Sequence, residues 1–380
     1  MTQKKINFNN PYLTGYEIKN IKNVLNKKIF ANEGQFSKKC ENYITNKINS
    51  VDTFLTPSCT HALEISAILL DLKVNDEIII PSYTFVSSAN AFVLRGAKPV
   101  FTDIRQDTLN IDEEKIEEAI TKKTKAIVIV HYAGVACDMD KILSIVKKHK
   151  LVLIEDAAHA FDCKYKNKYL GSFGDISCFS FHDTKNITSG VGGAIAINKK
   201  KYKAKLEIIR QKGTNRSKFL ENKSSKYSWQ DIGSSYVPGE IMAAFLWSQL
   251  KKSRKILNSR MKLWKNYHNY AIEIEKKGLV NRPHIPFECS HNGHIYYLIL
   301  KNKVQRNKTI NYLKNKNIQL TSHYEPLHLS PAGIRYGTSY GKLNMTKKLS
   351  DCILRLPLWI GLKKTDQKRI IRHIFNYLEK

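Results

Sequence analysis

Three apolar runs too short for buried helices, Leu151 to Ile154, Ile176 to Phe181 and Ala194 to Ile197, follow one another between turns marked by Glu155-Asp156 and by glycine at 190, 192 and 193. Runs of this length bounded by turn residues read as buried strands. Similar runs come earlier, at Glu77 to Pro81, Pro99 to Thr102 and Ala126 to His131, and Asp140 to His149 is one of the helical patterns between them. Before these, TFLTPSCTHALEISAILLDL reads as a strand, a tight turn Pro57-Ser58-Cys59-Thr60 and a helix from about His61. Strands alternating with helices at this spacing select an α/β fold with a mostly parallel central sheet and helical crossovers.

The 380-residue chain is long enough for two domains. We expect a large domain over residues 1–254, with an amino-terminal arm carrying a helix near Tyr16 to Asn26 and a turn at Asn32 to Gln35. A smaller α/β domain is expected over 255–380, entered through a long amphipathic pattern from Glu240 to Lys277. Its predicted elements are strand Ile295 to Leu300, helix Arg306 to Asn315, strand Ile318 to Tyr324, and helices near Thr346 to Leu354 and Thr365 to Leu378.

Parallel sheets collect ligands outside the carboxyl ends of their strands. There the first run delivers Asp156, and the second leads into His182-Asp183-Thr184-Lys185-Asn186 and a glycine-rich turn that allows close backbone approach. An acid at one strand end and a lysine past a neighbouring one suit pyridoxal phosphate (PLP). A buried carboxylate, Asp156, keeps the cofactor's ring nitrogen protonated, and a lysine amine, Lys185, holds its aldehyde and afterwards carries a proton. The turn at Cys59 and Thr60 offers N–H groups at a helix N-terminus for the phosphate, and Phe85 offers a ring to stack on the heterocycle.

Lysine and arginine exceed aspartate and glutamate by 63 to 33, a net charge of +30. That balance raises a second reading, a DNA-binding regulator. The lysines, however, are spread along the chain in short clusters, and no helix-turn-helix or basic stripe is recognisable, so a solvated lysine-rich surface is the expectation. Seven scattered cysteines without a CxxC pair favour reduced thiols and give no zinc pattern, so no metal is expected. No apolar run is long enough to span a bilayer and the amino terminus lacks a signal-peptide core, so the reading is cytoplasmic, without membrane association.

Taken together, TPSCTHALE, PSYTFVSSANAFVLRGAKPVFTDI, HYAGVACDMD, IEDAAHA, SFHDTKN, GTNRS, DIGSSY and HYEPLH resemble the DegT/DnrJ/EryC1/StrS nucleotide-sugar aminotransferases, over about Phe8 to Leu378. The resemblance implies a type I PLP-dependent aminotransferase fold and a homodimer with shared active sites. It implies transfer of an amino group from L-glutamate to C4 of a dTDP-linked keto sugar, dTDP-4-keto-6-deoxy-D-glucose, giving the 4-amino-4,6-dideoxygalactose product of cell-surface polysaccharide synthesis. A 4-amino-4,6-dideoxyglucose or a 3-amino product is the alternative within the family. By the same resemblance Lys185 is the cofactor-binding lysine and Asp156 the partner of the ring nitrogen, with His159 near the cofactor's O3′. Cys59, Thr60 and Ser180 hold the phosphate, Phe85 stacks on the ring, and His328 lies close to the sugar. Relatives usually carry GEGGA after the lysine, where this chain has Val191 in place of glutamate.

Overall fold

Residues 4–31, 34–220 and 222–380 are described by the computed structural model, so the expected turn at Asn32 and Glu33 lies outside the described residues. Thirteen strands are assigned among them: β1 Asp52–Thr56, β2 Glu77–Pro81, β3 Lys98–Thr102, β4 Thr124–Val130, β5 Val152–Asp156, β6 Lys164–Tyr165, β7 Lys168–Tyr169, β8 Ile176–Ser180, β9 Gly193–Ile197, β10 Cys289–Ser290, β11 Tyr296–Ile299, β12 Thr338–Ser339 and β13 Ile353–Leu356. Eight form one sheet in the order β1-β9-β8-β5-β4-β2-β3-β12. Its pairings are parallel except those of β9, which runs antiparallel to both β1 and β8.

The central strand β4 shows why these runs carry no polar alternation. Ile127 and Ile129 point into one core with Ile142 and Leu153, while Ala126 and Val128 point into another with Leu63, Ile80 and Phe92. Successive side chains leave a strand on opposite faces, and helices cover both. The order also places the ends of β1, β2, β5 and β8, with the turns that follow them, along one edge of the sheet.

A second core forms around β11 and β13, which pair antiparallel from Tyr296↔Leu356 to Ile299↔Ile353. Helices Ser253–Tyr270, Lys303–Lys314 and Lys364–Leu378 pack there through Trp264, Tyr267, Leu313, Ile370 and Ile374. The chain then returns to the large sheet: Leu327 and Leu343 join its core, and β12 extends its edge beside β3.

Three elements differ from the sequence reading. Ile318 to Tyr324 is not a strand and makes only isolated bridges, Ile6↔Ile318 and Thr321↔Arg355, because His323 and Tyr324 turn away into a cavity. The helix expected to Leu354 stops at Cys352 and the chain becomes β13 at once; a four-residue strand, Ile-Leu-Arg-Leu, is too short to reveal its own period. The arm contains a helix the reading left out, Gln35–Ile48, whose Phe36, Cys40, Ile44 and Ile48 are buried at helical spacing. Its first turn is held by buried Glu240, which accepts the N–H groups of Phe36 at 2.9 Å and Ser37 at 3.0 Å.

Candidate active site

At the carboxyl edge of the sheet lies a cavity of about 490 Å³. Cys59, Thr60, Phe85, Asp156, His159, Ser180 and Lys185 all line it, although they are spread over nearly 130 positions of sequence. His328 does not: it sits in the turn Leu327–Leu329, where its Nδ1 lies 2.6 Å from Ser82 Oγ.

Strand alternation divides the labour of the two adjacent carboxylates. Glu155 is buried on the far face, where it accepts N–H groups from Gly171, Phe173 and Gly174 at 2.6–2.8 Å and pairs with His131 at 3.0 Å. It is a strut that ties β5 to the turn before β8. Asp156 faces the cavity and takes only two hydrogen bonds, from Ser88 Oγ at 2.6 Å and from the Ala158 N–H at 3.1 Å. Burial raises its pKa above the ordinary aspartate value. A buried carboxylate with lone pairs to spare and no cation bonded to it fits a pyridinium N–H.

Lys185 lies past the end of β8, in the turn that starts with its N–H bonded to the His182 carbonyl at 2.9 Å. Burial draws its amine down to about 8, against the pull of Cys59 and Asp156. The free amine is the form that attacks an aldehyde, so more of it is reactive near neutral pH than for a surface lysine. Capture of PLP by the apo protein should therefore accelerate as pH rises and level off just above 8. Stopped-flow absorbance would read this, and a rate still climbing past pH 10 would mean that the amine is unperturbed.

The end of the cavity that suits a phosphate is built by backbone. Ser58 caps helix Cys59–Leu69, accepting the His61 N–H at 3.2 Å. The N–H groups of Cys59 and Thr60, being in its first turn, have no carbonyl inside the helix to bond. Gly193 pairs with both Thr56 and Ser180, and a Cβ on it would come within 2.4 Å of the Cys59 nitrogen, so only glycine lets β9 pass beneath this turn. The Cys59 thiol, which burial keeps protonated, contributes through its backbone.

His159 is buried, and burial together with Lys185 and Arg355 holds its pKa well below the usual histidine range. It is neutral; Nδ1 accepts the Ala133 N–H at 3.4 Å, which leaves the Nε2 proton facing Tyr324 Oη at 3.4 Å. Phe85 exposes 56% of its surface, with its ring 6.3 Å from that of Tyr324. This set of groups fits PLP: a lysine amine, a carboxylate for the ring nitrogen, an open aromatic face and a helix N-terminus for phosphate.

The second core supplies residues that the sequence reading missed. Arg260, His294, His323, Tyr324 and Arg355 line the same cavity. His294 Nδ1 lies 3.0 Å from Asn186 Oδ1, which fixes the residue after Lys185. His323 and Tyr324 belong to HYEPLH, a motif that carried the resemblance without a role for them, while no local pattern announces Arg260, His294 or Arg355, which reach the cavity through packing of the two cores. Val191 also lines the cavity and is exposed.

A sequence model of the DegT/DnrJ/EryC1/StrS aminotransferase family matches residues 11–375. Among characterised and uncharacterised relatives, the chain is 40% identical over 300 residues, 77% of each chain, to an uncharacterized protein of Methanocaldococcus jannaschii. It is 30% identical over 356 residues, 93% of each chain, to the GDP-perosamine synthase of Escherichia coli O157:H7. Its structure superposes on the PLP form of Spr1654 from Streptococcus pneumoniae with a TM-score of 0.91, covering 99% of each chain at 26% identity.

Proposed function

Because this chain belongs to the DegT/DnrJ/EryC1/StrS aminotransferase family and is a PLP-dependent sugar aminotransferase, we propose that it moves the amino group of L-glutamate to C4 of dTDP-4-keto-6-deoxy-D-glucose. The product is dTDP-4-amino-4,6-dideoxygalactose, destined for cell-surface polysaccharide. The observation that carries amino transfer is Lys185 and Asp156 in one buried cavity with a helix N-terminus at its edge.

When bound, PLP supplies an electron sink for the carbanion formed at the donor's Cα. The chain's own groups do the rest. With PLP bound, Asp156 would keep the ring nitrogen protonated, the Cys59 and Thr60 N–H groups with Ser180 would anchor the phosphate, Phe85 would cover the ring, and the His159 Nε2–H would serve the ring oxygen. With PLP bound, the Lys185 amine would take the donor's Cα proton and hold it in the site; water would supply the oxygen of the departing 2-oxoglutarate, and the amino group would stay behind for the sugar. In the second half the same amine returns a proton to sugar C4. The face of that delivery selects the galacto over the gluco product. His328, beyond the cavity wall and hydrogen-bonded to Ser82, is assigned to the outer part of the sugar site, and a homodimer with shared active sites completes the reading.

The likeness to a GDP-perosamine synthase favours one further reading, a GDP-linked 4-keto sugar as acceptor. Incubation with PLP, L-glutamate and a panel of dTDP-, GDP- and UDP-linked keto sugars, followed by NMR of the product, separates the carriers, the 3- and 4-amino positions and the two epimers. Amino transfer to none of them would sink the proposal.

The charge has a testable role as well. A surface of +30 attracts a nucleotide diphosphate from a distance but does not act inside a closed site. Steady-state kinetics should show kcat/KM for the sugar nucleotide falling severalfold with added salt while kcat barely moves. Tight sequence-specific binding of duplex DNA at physiological salt would instead favour the regulator reading. No helix among the described residues is long and apolar enough to cross a membrane.

A further inference from the structure

Two buried imidazoles stand side by side at the cavity, those of His159 and His294, with ring centres 4.6 Å apart. A neutral imidazole has one nitrogen that donates and one that accepts, and the partner of either nitrogen fixes which is which. His159 uses the lone pair of Nδ1 for the Ala133 N–H, so its proton is on Nε2. His294 is the reverse. Asn186 Nδ2 lies 2.8 Å from the Asn292 carbonyl, which can only accept, so the Asn186 amide is turned with Oδ1 toward His294. Oδ1 only accepts as well, and at 3.0 Å from it the His294 Nδ1 must carry the proton. The lone pair is left on Nε2, which makes no hydrogen bond among the described residues.

The support behind His294 is rigid. Arg260 and Trp264, on helix Ser253–Tyr270, hold three successive carbonyls: Arg260 donates to Gly293 at 3.1 Å and to His294 at 2.8 Å, and Trp264 to Ile295 at 3.0 Å. On the other side Asn292 donates to the carbonyls of His159 at 2.9 Å and Phe161 at 2.8 Å, and its Oδ1 accepts the His294 N–H at 3.0 Å. The short segment 292–295 thus ties together the His159 stretch, the residue after Lys185 and the second core. The titratable and charged groups that face His294 are His159, Lys185, Arg260 and Arg355; with burial they hold it neutral, so its lone pair persists through neutral pH.

We infer that His294 is the positioning residue for Lys185: its Nδ1–H fastens the neighbouring Asn186, and its Nε2 lone pair receives one N–H of the lysine amine while that amine is free. This rests on the reading that Lys185 moves the donor's Cα proton. A free amine carries its lone pair on a flexible stem. Committing one N–H to a fixed acceptor, and the root of the stem to a fixed turn, limits the directions in which that lone pair can point.

Two substitutions separate the parts. His294→Asn keeps an N–H at the place of Nδ1 and has no counterpart of Nε2, whereas His294→Leu lacks both. In stopped-flow capture of PLP by the apo proteins, wild type and His294→Asn should level off just above pH 8. In His294→Leu the turn is no longer fastened, and the plateau should move up toward the ordinary lysine value of 10.5. In the holoenzymes both variants should slow the Cα proton step on the order of 100-fold, the scale of a displacement near 1 Å, with the half-saturating glutamate concentration within a fewfold of wild type. Nitrogen-15 NMR of the apo protein should find the His294 proton on Nδ1. A proton on Nε2, a proton step at wild-type rate in His294→Asn, or a wild-type capture profile in His294→Leu would overturn the assignment. So would a loss of glutamate affinity in place of rate, which makes His294 a donor contact, or a lowered melting point with capture and rate unchanged, which makes it part of the fold alone. Should wild type aminate no sugar while the NMR and capture results hold, the proposed acceptor fails and the positioning role stands.

Discussion

Lys185→Ala should abolish amino transfer, lowering turnover by at least ~10,000-fold, because in the proposed reaction the same amine holds the cofactor and moves the proton in both halves. The loss is chemical, not structural. Lys185 lines a cavity and packs no core, so circular dichroism and a cooperative melt should be unchanged in form. The sign of the stability change follows from the pKa. In the folded apo protein the amine titrates near 8, against an ordinary value of 10.5, so the folded state holds fewer protons than the unfolded one between those values. Wild-type stability therefore rises with pH across that window, and the burden of the buried charge is fully present below pH 8. Apo Lys185→Ala should melt higher than apo wild type at pH 7, with the gap closing by about pH 10.5. Lys185→Arg should be as inactive as the alanine variant, since a guanidinium stays protonated and cannot hold the aldehyde. Full activity in either variant would remove Lys185 from the mechanism.

What could be read from the sequence, and what could not, divides along one physical line. Strands such as Glu77–Pro81 are visible because burial on both faces leaves a continuous apolar run, and the ligand edge is visible because a parallel sheet fixes which strand ends meet. Asp156, Ser180 and Lys185 come together through neighbouring strands β5 and β8, so their order along the chain already carries their proximity. Arg260, His323 and Arg355 had no such guide. Arg355 lies in a four-residue run that reads equally as the end of a helix, and His323 in a segment whose sequence reads as a strand. Their meeting depends on how the second core docks, a contact between residues far apart in sequence with no periodic signature. His328 stands outside the lining of the cavity, in the turn Leu327–Leu329, with its Nδ1 2.6 Å from Ser82 Oγ.

Asp156→Asn should retain the cofactor yet lose roughly 100- to 1,000-fold in turnover, the range seen when one electrostatic contact to developing charge is removed. In the proposed reaction the carboxylate's work is to make the ring nitrogen's proton permanent, from a site where burial alone would drive Asp156 toward its neutral form. That tension resolves when a cation sits against it: the pyridinium lowers the carboxylate's pKa as the carboxylate raises that of the ring. Asparagine keeps the size of the side chain and can still accept the Ser88 hydroxyl, now 2.6 Å from Oδ2, so the pocket should not collapse. It cannot supply the charge. Without it the ring nitrogen loses its proton near neutral pH, electrons from the donor's Cα find a weaker sink, and proton removal by Lys185 slows. The deficit should therefore appear in the Cα proton step: a deuterium isotope effect on single-turnover glutamate consumption should grow in Asp156→Asn, while the half-saturating glutamate concentration stays near wild type. A loss of only two- or threefold, with no change in the isotope effect, would mean that another group holds the ring proton and that Asp156 serves the fold of β5 alone.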